Sequence, residues 1–105
     1  MKDHASIDRR GLDLARAIVT KLESGDLQGG LAKARAVNRR WREQGSSPLH
    51  EEWKEILQGN WTEIKAILLD ESEGGNRLRQ NSPFCGILTP HERWAIFREH
   101  RRHAA

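Results

Sequence analysis

The stretch RLRQNSPFCGILTPHERW, Arg77 to Trp94, holds two of the chain's three prolines and its single cysteine. Ser82-Pro83 breaks any helix entering from Arg77, because proline lacks the N–H and drives the residue before it out of the α region. Phe84, Ile87 and Leu88 are too apolar for a free loop and are expected to plug into a helical core. Gly86 lies between them, where a turn of positive φ would use a glycine. Thr89-Pro90-His91-Glu92 then opens a helix. Thr89 caps it, Pro90 takes the first helical position, and Glu92 reaches back to the Thr89 N–H to complete a capping box.

Two readings of this stretch follow. It is a packed connector between helices, or it is a contact surface. The second reading rests on Arg77, Arg79, Gln80, Asn81 and Ser82, a row of donors and acceptors. On a rigid loop they could grip a carboxylate, a phosphate or a partner's backbone. With Pro83 and Phe84 they form the expected partner-binding set.

Helical periodicity runs outward on both sides. Residues 1–6 read as a flexible tail, with Ser6 as the first N-cap and 7–103 as one domain. Ile7, Gly11, Leu14, Ile18 and Leu22 mark the first helix, flanked by Ala15 and Val19. Ser24-Gly25-Asp26 stops it, with Gly25 as a left-handed cap. A second helix spans about 27–44, with Leu31, Ala34, Val37, Asn38 and Trp41 inward. Ser47-Pro48 opens a third, with Glu51 and Glu52 in its favoured first turn. Gly59-Asn60 ends it, and Trp61, Ile64, Ile67 and Leu68 mark a fourth. Asp70 to Asn76 is a polar break, or Ser72 caps a short fifth helix. Trp94 and Phe97 face inward on the last. Four tryptophans on four helices predict one shared core. The fold class is all-α, five or six short helices in a single domain.

A chain of 105 residues buries roughly two-thirds of its unfolded surface, enough for a core without staples. One cysteine forms no internal disulfide and fits a reducing, cytoplasmic setting. Beside Phe84, Cys85 reads as a small buried hydrophobe. No leader-type apolar segment opens the chain, and no apolar run approaches the ~20 residues that span a bilayer.

Charge is segregated. Residues 33–42 carry Lys33, Arg35, Arg39, Arg40 and Arg42 without an acid. Residues 51–73 hold seven acids against Lys54 and Lys65. Residues 77–103 hold six arginines against Glu92 and Glu99. Helices of opposite charge are expected to neutralise part of this internally. Arg35, Arg39 and Arg42 share a face at i, i+4, i+7. With Arg98, Arg101 and Arg102 they form the candidate nucleic-acid surface. A homodimer pairing acidic and basic helices is a third possibility.

Reaction chemistry is thin. The phosphate-loop, dinucleotide, nucleophile-elbow and zinc-protease motifs are missing. His91 is the one histidine placed for catalysis, and His100 and His103 at i, i+3 have no spaced partner for a metal. No enzyme, cofactor or metal is expected.

The stretch LRQNSPFCGILTPHERW at 78–94, with WKEIL at 53–57 and LARAIVTKL at 14–22, resembles a group of small helical bacterial proteins. They share a leucine-arginine-glutamine, serine-proline-phenylalanine, glutamate-arginine-tryptophan signature, and some are encoded beside nucleotidyltransferase-type toxin–antitoxin proteins. The resemblance implies a protein-binding, antitoxin-like role and supplies no catalytic residues. An arginine from 77–79 would then face acids of such a partner.

Overall fold

The computed structural model describes residues 4–103, as six helices and no strand. They are α1 (His4–Ser24), α2 (Leu27–Gly45), α3 (Pro48–Ile56), α4 (Trp61–Leu68), α5 (Glu73–Arg79) and α6 (Pro90–His103). The chain is therefore all-α and a single globule. Among the described residues no helix is long and apolar enough to cross a membrane. α1 begins at His4, so Ser6 lies inside it, while residues 1–3 of the expected tail lie outside the described residues.

Side chains start most of these helices as the sequence requires. Asp26 accepts from the Gly29 N–H, Ser47 from His50, and Ser72 from Gly75. Thr89 and Glu92 close the expected box at α6: the Glu92 N–H donates to Thr89 Oγ1 at 3.1 Å, and the Thr89 N–H donates to Glu92 Oε1 at 2.7 Å. A second capping box, Asn60 with Glu63, starts α4. The left-handed glycine is Gly45, φ 142°, at the end of α2. Neither Gly25 nor Gly86 adopts positive φ. α1 ends on an ordinary turn, the Gly25 N–H donating to Leu22 O, and the 82–88 segment turns without a positive φ.

α1 runs through the middle, touching α2, α4, α5 and α6, while α2 packs most closely with α3. Its buried stripe is Leu12, Ala15, Ile18, Val19 and Leu22, with Leu14 at the edge. Leu31, Ala34, Trp53, Leu57, Ile64, Leu68 and Leu78 close the core around it. Trp53 is wholly buried, and its Nε1 donates to Leu78 O at 2.9 Å. Phe84, also wholly buried, meets Trp53 edge-on with ring centroids 6.1 Å apart. Leu88 is buried and Ile87 partly so. The loop is thus plugged into the core as its apolar residues require.

The shared tryptophan core does not form. Trp41 and Trp61 are half-buried, and Trp94 is 49% exposed. The indole N–H explains Trp61, which donates to Glu23 Oε2 at 2.9 Å at the surface. Trp94 instead lies beneath the Arg98 guanidinium, 4.7 Å from its ring centroid. Phe97 is half-buried under Arg10, 4.8 Å from the ring. α6 packs chiefly on α1, which leaves one flank of it in solvent.

Candidate functional site

The 80–89 connection joins α5 to α6. Beside it opens a cavity of about 600 Å³. This lies within the usual range for ligand and anchor pockets, about 300–1,000 Å³. Leu14, Ile18, Leu68 and Leu88 make an apolar floor. Gln80, Asn81, Ser82, Cys85 and Arg93 line the loop side. Trp41 and His50, with ring centroids 5.4 Å apart, complete the lining.

The cavity draws in part of the expected partner-binding set and releases the rest. Gln80, Asn81 and Ser82 line it together with Arg79. Arg77 does not. It is exposed and reaches only to Glu52, at 3.8 Å. Pro83 and Phe84 are withdrawn into the core, so neither offers a surface contact. Ser82 turns the backbone for them: its Oγ accepts from the Phe84 N–H at 3.1 Å. Cys85 is exposed rather than buried, because Phe84 and Leu88 take the inward positions.

Arg79 is committed to the fold. Its Nη1 donates to Leu68 O at 3.0 Å and also to Asp70 O, and its Nη2 donates to Asn76 Oδ1. One guanidinium thereby closes the end of α4 onto α5. Burial pushes it below the ordinary arginine value, opposed by Asp70, Asp8 and Glu71. It remains a cation. Arg93 donates to Cys85 O at 3.2 Å and sits 5.9 Å from the Phe97 ring. Both arginines have neutral acceptors, and no carboxylate lines the cavity. Two further atoms of lining residues, His50 Nδ1 and Arg79 Nε, are buried without a hydrogen-bond partner.

The candidate nucleic-acid residues separate. Arg35, Arg39 and Arg42 line a groove of about 410 Å³ between α2 and α3, joined by Lys54. Arg98 is stacked on Trp94, Arg102 reaches Glu99 at 3.8 Å, and both stand with exposed Arg101 on α6. The acids of α3 do not neutralise α2. Lys33, Arg35, Arg39, Arg40 and Arg42 form no ion pair among the described residues. Glu52 turns to Arg77 instead, and Lys65 pairs with Glu23 at 2.9 Å.

His91 is exposed. His100 Nε2 lies 2.8 Å from Asp13 Oδ2 and ties α6 to α1, while the His103 side chain lies outside the described residues. Trp41, His50 and Arg93 were not singled out for the cavity by sequence, and Lys54 was not singled out for the groove. Arg93 carried a usable signal, four residues after the Thr89 cap and so one turn above the loop. Neither a family model, nor a curated protein, nor a solved structure matches the chain.

Proposed function

We propose that this chain is a non-enzymatic, cytosolic protein-binding adaptor that receives a partner's segment in the cavity beside the 80–89 connection. The occupant is a peptide segment bearing an apolar side chain next to a carboxylate. One observation carries this reading: the Arg93 guanidinium, held only by the Cys85 carbonyl, lines the cavity beside apolar side chains with no acid in the lining. A partner carboxylate would meet the Arg93 cation, which forms no ion pair among the described residues. The antitoxin-like role implied by the resemblance agrees with this chemistry. A nucleotidyltransferase-type partner carries clustered carboxylates, and an arginine-lined cavity would occupy them without any reaction in this chain.

The test is affinity capture from the native host with the parent chain, Arg93→Ala, Asn81→Asp and Arg101→Ala, each with and without nuclease. The expected result is one protein recovered with the parent and with Arg101→Ala, insensitive to nuclease, and reduced at least tenfold with Arg93→Ala. Asn81→Asp places a carboxylate in the lining and should reduce recovery as well. Equal recovery with all four chains overturns the assignment, and so does recovery that nuclease abolishes. Circular dichroism of each variant verifies that the fold is retained.

A further inference from the structure

The groove between α2 and α3 shares no lining residue with the cavity and concentrates more charge. Arg35, Arg39, Arg42 and Lys54 line it, with Asn38, Leu57 and Gln58, and no carboxylate does. Arg35 to Arg42 is two turns of helix, about 10 Å along the axis.

Two of the four cations are held in place by the fold. Arg35 Nε donates to Leu57 O at 3.2 Å, at the C-terminal end of α3. Arg42 Nε donates to Asn38 Oδ1 at 3.0 Å. Asn38 is itself 2% exposed and donates through Nδ2 to His50 O at 3.0 Å. Each guanidinium is thus anchored by Nε alone, and its two terminal nitrogens have no acceptor among the described residues. The side chains of Arg39 and Lys54 have no hydrogen bond or ion pair among the described residues. An anchored guanidinium loses less side-chain entropy on binding an oxyanion than a free one.

We infer that this groove binds the phosphodiester chain of a single nucleic-acid strand. A row of unneutralised cations about 10 Å long matches a run of phosphates rather than one carboxylate. The groove lining holds no aromatic side chain on which a base could stack, so recognition is of the backbone and independent of sequence. The α6 arginines contribute nothing to it.

The probe is a fluorescent oligothymidine, followed by anisotropy between 50 and 200 mM salt, with tripolyphosphate titrated separately. For a single strand the salt slope is about −0.7 per phosphate contact. Four contacts predict that affinity falls about 50-fold over that range. Arg39→Ala/Lys54→Ala removes two contacts and no internal bond. It should weaken binding at 50 mM salt and leave only about a sevenfold fall. Arg101→Ala/Arg102→Ala should bind as the parent does. Oligothymidine that fails to bind at 50 mM salt overturns the inference. Unchanged binding by the groove variant does the same. Tripolyphosphate binding without oligothymidine binding marks a free-phosphate site and removes the nucleic-acid strand. None of these outcomes touches the cavity, which shares no lining residue with the groove and which Arg93 tests.

Discussion

Lys21 Nζ lies 2.7 Å from Glu92 Oε1, across 71 residues of sequence. The same oxygen accepts the Thr89 N–H that closes the capping box. The start of α6 is therefore fastened to α1 by the group that caps it. The Lys21 ammonium, then the Thr89 N–H, hold the Glu92 carboxyl below its ordinary value. A depressed pKa favours the folded state above the unfolded carboxylate value of about 4.3, and that contribution disappears as pH falls through the folded value. Glu92→Gln should be less stable than the parent at pH 7. The difference should shrink steadily below about pH 4. Urea unfolding at pH 7 and at pH 3 reads both, and a constant difference would show that ionisation has no part. Glu23, lowered chiefly by Lys65, and Asp70, lowered chiefly by the Ser72 N–H, shift alike in both proteins.

Arg79 joins three acceptors from two helices and the link between them. Arg79→Ala strips donors from the Leu68 and Asp70 carbonyls and the Asn76 amide oxygen and should cost about 2–3 kcal/mol. Arg79→Lys should recover little, since an ammonium on a flexible stem does not reproduce the planar fork. Urea midpoints measure both. A loss below ~0.5 kcal/mol would mean that water replaces the guanidinium.

Adjacent glycines in α5 should respond in opposite directions. A Cβ on Gly75 would lie 2.1 Å from Asp70 O, a backbone atom that cannot swing aside. Gly75→Ala should destabilise by about 1–3 kcal/mol through overpacking. A Cβ on Gly74 meets nothing nearer than Ser72 Oγ at 3.7 Å. Gly74→Ala should stabilise by about 0.4–1 kcal/mol, chiefly by restricting the unfolded chain. Thermal melts of the two variants settle the contrast, and a loss in both would mean that α5 tolerates no added side chain.

Cys85 is exposed at the mouth of the cavity. An aromatic disulfide reagent should titrate one thiol in native buffer without denaturant. Attachment should also block partner capture, whereas Cys85→Ser should capture normally and resist the reagent. A thiol that reacts only in denaturant would contradict the exposure.

Local signals carried most of the architecture. Ser47-Pro48, Asp26 and the Thr89–Glu92 box start their helices where the sequence requires, because a cap needs only neighbours within one turn. The plug of Phe84 and Leu88 was equally legible, since apolar residues inside a short loop have few other places to go. Trp94 was misplaced because helical phase says which residues share a face and not how much of that face is covered. Cys85 was misplaced because adjacent loop residues can point opposite ways. The clamp by Arg79 spans 11 residues to Leu68 O, and a backbone acceptor that far away leaves no mark in side-chain pattern. The i, i+4, i+7 arginines were visible on α2, but Lys54 joins them only through the packing of α3.

Pro83 and Phe84 are sealed into the core beneath the connection, and Trp53 holds Leu78 O at its entrance. Fixing a backbone costs about 1–2 kcal/mol per residue. Here that cost falls on folding rather than on association. A partner reaching the 80–89 connection meets a finished surface, so encounter and not loop ordering sets the pace. The observed association rate should rise linearly with partner concentration, without a plateau. Rate constants of about 10⁵–10⁷ M⁻¹s⁻¹ are expected for such rigid docking. Long-range Coulomb attraction to Arg93 would raise them as salt is lowered.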